Sequence, residues 1–337
     1  NDETVVLTLG APTNATLGAT TVHTATITDN DNAPTVAFNA AAQSIGEAAG
    51  SAAASVTLSA VSSLETIVPY SVGGTAIAPD DFSDLDLGSI TIPAGQLSTT
   101  IDLSIVDDSL FENDESVVLT LGAPTNATLG ATTVHTATIT DNDTAPTVAF
   151  NAAAQSIGEA AGSTTASVTL SAASGLETII PFTAGGTAID PDDYSDLDLG
   201  SLTIPAGQLS TTVDLSIVDD SLFENDETVV LTLGAPTNAT LGATTVHTAT
   251  ITDNDTAPTV AFDAAAQSIG EAAGSTTASV TLSAASGLET IIPFTASGTA
   301  IDPDDYSDLD LGSLTIPAGQ LSTTVDLSIV DDSLFEN

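Results

Sequence analysis

The chain has 337 residues, with 45 Asp and Glu, three His and neither Lys nor Arg, for a formal net charge of -45 at pH 7. A polyanion of this kind cannot neutralise phosphates, which argues against nucleic acid and anionic membrane surfaces as direct partners. Without Cys there are no disulfides, thiolate metal sites or thiol catalysis, and no run reaches the roughly 18 to 20 apolar residues of a membrane span.

Hydrophobic residues make up 42% of the chain and aromatic residues only 4%, so the sequence predicts folded domains with cores of small side chains. Asn1-Asp2-Glu3-Thr4-Val5-Val6 returns at Asn113 and again at Asn225, a period of 112 residues. From Thr144 and Thr256 onward the last two copies differ only at Asn151 against Asp263 and Gly185 against Ser297. Such similarity implies recent duplication within a longer array. The chain starts and stops at the same phase of its repeat, which reads as a window cut from that array.

In the copy that begins at Ala33, Val36 and Phe38 open a first strand. Gly46 and Gly50 break the helix-prone Ala-rich pieces after it, so a kinked strand is expected there. Val56 and Leu58 follow, then Val68, Tyr70 and Val72, then Ile90 and Ile92. Ile101, Leu103 and Ile105 alternate with Asp102 and Ser104, Val117, Leu119 and Leu121 come next, and Val134 to Thr140 close the set. This is period-two patterning with one buried face, cut by Gly73-Gly74, Pro79-Asp80-Asp81, Pro93-Ala94-Gly95 and Gly122-Ala123-Pro124. About seven strands in roughly 100 residues predict an all-β, immunoglobulin-like sandwich, repeated in tandem as an extended array. The expected divisions are a C-terminal part at 1–32, complete domains at 33–144 and 145–256, and an N-terminal part at 257–337. The partial pieces are complementary: continuing chain completes them, or the tail of one chain completes the head of another.

The densest chemistry lies in Asp107-Asp108-Ser109-Leu110-Phe111-Glu112-Asn113-Asp114-Glu115, repeated 112 residues on. Further acids flank strand ends at Gly46-Glu47, Pro79-Asp80-Asp81 and Asp141-Asn142-Asp143. In a sandwich, loops after alternate strands gather at one end, so these four segments can converge. Carboxylates held that closely repel unless a cation sits among them, and hard oxygen ligands suit Ca²⁺. Asp84, Asp86 and Asp102 read instead as a solvated rim.

Five motifs occur in order: Gly46-Glu47; Gly74-Thr75-Ala76 with Asp80-Asp81-Phe82; Ile92-Pro93-Ala94-Gly95-Gln96; Val106-Asp107-Asp108 with Phe111-Glu112 and Asp114-Glu115; and Ile139-Thr140-Asp141-Asn142-Asp143. This order resembles the Calx-β domain, the calcium-binding module of sodium/calcium exchangers and large bacterial surface proteins. The resemblance implies Ca²⁺ ligands in the first complete domain at Glu47, Asp81, Asp107, Asp108, Glu112, Glu115, Asp141 and Asp143, with the Leu110 carbonyl. In the second it implies Glu159, Asp193, Asp219, Asp220, Glu224, Glu227, Asp253 and Asp255, with Leu222. In the partial pieces it implies Asp29 and Asp31, and Glu271, Asp305, Asp331, Asp332 and Glu336. Ser109 and Asn142 interrupt acid runs that are unbroken in the calcium-richest members, which implies fewer ions or weaker sites.

Other chemistry is thin. His23, His135 and His247 occupy one repeat position on a strand, with no nucleophile-elbow motif near them, so no enzymatic activity is expected. Neither an EF-hand nor a Gly-Gly-x-Gly-x-Asp calcium turn occurs. Thr136, Thr138 and Thr140 share one strand face, which ordinary β propensity explains. Asn126-Ala127-Thr128 and Asn142-Asp143-Thr144 match the glycosylation pattern. The expected role is a calcium-stiffened repeat of a secreted or cell-surface bacterial filament or adhesin. Its expected partners are calcium ions, neighbouring repeats and other copies in a filament. The alternative is an adhesive module whose Thr and Ser faces recognise glycan, ice or a cell-surface receptor.

Overall fold

The structure is a computed structural model that describes residues 2–83, 85, 88–195, 197, 200–307, 309 and 312–331. The chain divides into two compact units, Asn1–Asp143 and Thr144–Asn337. Among the described residues it is all-β apart from three short 3-10 turns, and each complete repeat is an immunoglobulin-like sandwich. No helix among the described residues is long and apolar enough to cross a membrane.

The first unit opens with an antiparallel hairpin, β1 (Glu3–Thr8) against β2 (Val22–Ile27). A complete sandwich follows, made of β3 (Thr35–Phe38), β4 (Ala42–Gly46), β5 (Ser51–Leu58), β6 (Thr66–Gly74), β7 (Phe82–Ser83), β8 (Ser89–Ile92), β9 (Ser98–Ile105), β10 (Glu115–Leu121), β11 (Thr128–Leu129) and β12 (Val134–Thr140). One sheet has the order β4-β12-β10-β6-β8 and the other β11-β3-β5-β9-β7. The expected seven strands thus become ten among the described residues, because the first strand divides and two-residue pairings at β7 and β11 extend one sheet.

The kink predicted before Gly50 is a change of sheet. β3 pairs antiparallel with β5, and after residues 39–41 β4 pairs parallel with β12 on the other side. A single 3-10 turn, Glu47–Ala49, then ends at Gly50, whose left-handed φ of 72° lets the chain reverse into β5.

Alternation supplies the core. Ile101, Leu103 and Ile105 of β9 and Val117, Leu119 and Leu121 of β10 point between the sheets, where they meet Val36, Val56, Val68 and Ile92. Each fully buried aliphatic side chain of this kind contributes about 1.5–3 kcal/mol. His135 belongs to that inward face: it is 3% exposed, its Nδ1 donates to the Ala40 carbonyl at 2.7 Å, and its ring lies 5.4 Å from Phe38. The strand histidine is therefore a core residue that ties β12 to the crossing segment. Asn126 adopts φ 54° and its amide donates to the Glu65 carbonyl at 2.8 Å, so this candidate glycosylation site is engaged in bracing a loop.

The second unit repeats this sandwich in its first part, with the same strand order in both sheets and a matching core from Val148 to Ile251. Its last part has a four-stranded sheet and a separate two-stranded one. In the β1–β2 hairpin, Val5 and Leu7 are 47% and 60% exposed, whereas their counterparts Val117 and Leu119 are at 0%.

Close packing makes one glycine of the first sandwich indispensable. Gly74 has φ 117°, and a Cβ there would overlap the Ser116 backbone, while a Cβ on Gly73 meets nothing. Gly74→Ala is expected to destabilise the first domain by about 1–3 kcal/mol or more, from strain and overlap together. Gly73→Ala should stay within about 0.5 kcal/mol. Urea unfolding of both variants checks the contrast, which the Ser297 that replaces this glycine in the third repeat already favours.

Candidate metal centre

All four acidic segments of the first complete domain reach one end of the sandwich. Glu47 opens the turn after β4, Asp81 immediately precedes β7, residues 106–114 join β9 to β10, which opens on Glu115, and Asp141 and Asp143 follow β12. They form two groups of three carboxylates, each offering oxygens within 4.8 Å of one another: Glu47, Asp141 and Asp143, and Asp81, Glu112 and Glu115. Both groups contribute to one cleft, floored by Val106 and Ile139, with about 10 Å³ of free room. That is the space of a single water-sized sphere.

Backbone hydrogen bonds hold the acids in place. The Glu112 N–H donates to Asp141 Oδ2 at 3.2 Å, the Asp143 N–H to Asp141 Oδ1 at 3.1 Å, and the Asp108 N–H to Glu47 Oε1 at 3.2 Å. Asp81 is locked in a turn: its Oδ2 accepts the Ile77 N–H at 2.5 Å while its own N–H donates to the Ile77 carbonyl at 2.9 Å. Asp141 is the hinge of the arrangement, since it belongs to one carboxylate group and fixes the loop that carries the other.

The remaining candidate ligands lie around these groups. Asp107 and Asp108 are exposed and stand outside both triplets. Asp107 Oδ1 accepts the Asn142 amide at 2.8 Å, and Asp108 Oδ1 accepts the Leu110 N–H at 2.7 Å. Asn142 and Asp114, whose Oδ1 accepts the Asp141 N–H at 3.3 Å, shape the site without having been singled out as ligands. In the sequence Asp114 stands within the acidic run and Asn142 between two acids. Asp102 is exposed, and Asp84 and Asp86 lie outside the described residues.

The second complete domain reproduces the site, with Glu159, Asp253 and Asp255 in one group and Asp193, Glu224 and Glu227 in the other. Asp219 accepts the Asn254 amide at 2.8 Å and Asp220 accepts the Leu222 N–H at 2.6 Å. In the partial pieces, Asp29 Oδ1 accepts the Asp31 N–H at 3.0 Å and Asp305 Oδ2 accepts the Ile301 N–H at 2.6 Å. Glu271 and Asp331 are exposed, and Asp332 and Glu336 lie outside the described residues.

The electrostatics are those of crowded anions. Burial, the hydrogen bond to Asp81 and the charges of Asp81, Glu112 and Glu47 push the Glu115 carboxyl up from its ordinary 4.5 to about 7, and Glu227 behaves alike. Glu47, Glu112, Glu159 and Glu224 are raised as well, first by desolvation and then by neighbouring carboxylates. Asp143 and Asp255 also rise, and each has an Oδ2 that is buried with no hydrogen-bond partner. Oxygen-only donor sets, orphaned carboxylate oxygens and the lack of any Lys or Arg fit a hard divalent cation.

This sandwich with an acidic end defines a Calx-beta domain, and the family match covers residues 29–144, 141–255 and 253–337. The chain belongs to the Calx-beta family. Successive matches overlap within the acidic tails at 141–144 and 253–255. Among relatives, Extracellular matrix protein 3 of Lytechinus variegatus is 28% identical over 210 residues, 58% of this chain and 7% of that protein. Sodium/calcium exchanger 1 of Bos taurus is 25% identical over 182 residues, 48% of this chain and 19% of the exchanger. The chain thus spans under one fifth of the length of these relatives. A solved structure of CBD12 from CALX1.2 is 22% identical, covering 64% of this chain and 99% of that one with a TM-score of 0.31.

The raised carboxyls fix a pH dependence. A folded Glu115 that holds its proton up to about 7, against an ordinary 4.5, makes the metal-free domain gain stability as pH falls through 7 toward 4.5 and lose it as pH rises. In chelator, the melting temperature is therefore expected to be higher at pH 5 than at pH 8. Glu115→Gln should flatten this slope, which thermal melts across that range test directly.

Proposed function

We propose that the chain is a calcium-binding structural segment of a secreted or surface-anchored protein, in which Ca²⁺ stiffens each domain and its junction with the next. One observation carries the reading: Asp141 and Asp143, the last residues before the following repeat, sit in one carboxylate group with Glu47, while Asp141 also holds Glu112 of the other. An ion there ties the outgoing chain to the loops of the sandwich it leaves. Without the ion, about 15 uncompensated negative charges per repeat act to loosen the same end.

Two relatives support the setting. One is an extracellular matrix protein by name, and the other exchanges sodium and calcium. Calcium is the cation that carboxylate clusters of this size favour, and extracellular sites need dissociation constants of only about 10⁻⁴ to 10⁻³ M. Near-identical repeats suit a spacer, because each is interchangeable with the next. A bacterial filament or adhesin stalk without enzymatic activity is the form of spacer this supports.

Calcium at about a hundred times its dissociation constant adds roughly 2.7 kcal/mol per site. The melting temperature of the 337-residue chain should therefore rise by about 10 °C or more between chelator and calcium at that excess, about 10 to 100 mM for sites this weak. An unchanged melt would remove the proposal. Glu115→Gln is expected to raise the melting temperature in chelator, by relieving repulsion, and to reduce the gain from calcium.

Stiffening has its own readout. Since the chain lacks Cys, spin labels on two introduced cysteines, one in each complete domain, report their separation uniquely. The distance distribution should narrow on adding calcium. If it stays broad while calcium binds, the ion serves the domains alone and an adhesive role for the Thr136, Thr138 and Thr140 face becomes the better reading.

A further inference from the structure

Within the second unit, the loop at 283–288 of the last repeat docks against the acidic end of the sandwich before it. The Phe223 carbonyl accepts two hydrogen bonds, from the Gly287 N–H at 3.1 Å and from Ser286 Oγ at 3.1 Å. The loop is braced for the task, since Ser286 Oγ also accepts the Leu288 N–H at 3.1 Å and the Ser286 carbonyl accepts the Gly319 N–H at 2.8 Å. Ser286 is 3% exposed here.

The peptide that joins Phe223 to Glu224 is thereby held from both sides. Its N–H donates to Asp253 Oδ2 at 3.2 Å within the same sandwich, and its carbonyl is bound by the next repeat. The Glu224 side chain lies directly over Gly287, so that a Cβ at that position would overlap its carboxylate and Cγ. Gly287 has no positive φ that would itself require glycine, so contact with Glu224 is the constraint. The first repeat carries Ser63 where the others carry Gly175 and Gly287.

We infer that Ser286 and Gly287 position the carboxylate group of Asp193, Glu224 and Glu227, so that this cluster gains full cation affinity only when the following repeat is docked. The inference rests on the calcium reading of the cluster and adds to it a partner, the Ser-Gly step of the next repeat. The residue at this step then sets how tightly consecutive repeats are coupled. Glycine admits the Glu224 carboxylate, whereas the side chain of a serine at position 287 displaces it.

Gly287→Ser tests this in the 337-residue chain, with Asp81→Asn and Glu115→Gln silencing the first domain's group. The Ser63 sandwich shows that a domain accepts serine at this step, so the variant folds. Calorimetric titration with calcium should show affinity weakened by about tenfold or more, in the range found when residues that orient metal ligands are changed. Hydrogen exchange at the residue 287 amide, slow in the wild-type chain without metal, should accelerate in the variant. A Gly287→Ser chain with wild-type affinity overturns the positioning role and leaves the calcium reading standing. Fast exchange at Gly287 in the wild-type chain overturns the docking, and a wild-type chain that takes up no calcium overturns both readings.

Discussion

Repulsion among fixed carboxylates is the constraint from which the rest of this molecule follows. In most proteins a crowded acidic loop is relieved by a lysine or arginine nearby, but this chain has neither. Among the described residues the fold supplies relief by proton uptake, visible in Glu115 and Glu227, and by hydrogen-bond donation, from backbone N–H groups around Asp141 and Asp253 and from the Asn142 and Asn254 amides. Both are partial, and Asp143 and Asp255 keep a buried oxygen without a partner. Under the function proposed above, a cation completes a domain built this way, and its stability would follow the calcium concentration around it.

The sandwich serves that end by geometry. Changing sheets between β3 and β4 brings Glu47 to the tail of β12, and the loop from β9 to β10 brings Glu112 under the same tail. Asp141 therefore stands where both sheets and the outgoing chain meet. The two-residue strand β7 pairs with the end of β9 and delivers Asp81 beside Glu115. Short pairings of this kind add little stability, and their value lies in where they place a carboxylate.

Much of this was legible in the sequence, for identifiable reasons. Strands such as β9 and β10 have one face in the core and one in solvent, so alternation announces them, and the four acidic segments are marked by their position at strand ends. The change of sheet was not legible, because the Ala-rich stretch before Gly50 has no period to betray which sheet it joins. Nor was the sorting of eight candidate acids into two triplets with Asp107 and Asp108 outside them, since that depends on hydrogen bonds between segments far apart in the chain. The role of Gly287 rests on a single Gly-to-Ser difference among repeats, a signal that acquires meaning only once Glu224 is seen lying over it.

The parallel pairing of β4 with β12 has a mechanical consequence. Chain enters the sandwich through β3, crosses at residues 39–41 into β4 and leaves just after β12, and β4 and β12 run in the same direction through five register pairs from Ala42 with Thr136 to Gly46 with Thr140. Once β3 is pulled from its neighbours, tension applied to the two ends slides β4 and β12 past each other, so that the rungs between them share the load together instead of parting one at a time. A force-bearing tether needs that shear geometry, and here it lies directly beneath the acids at Asp141.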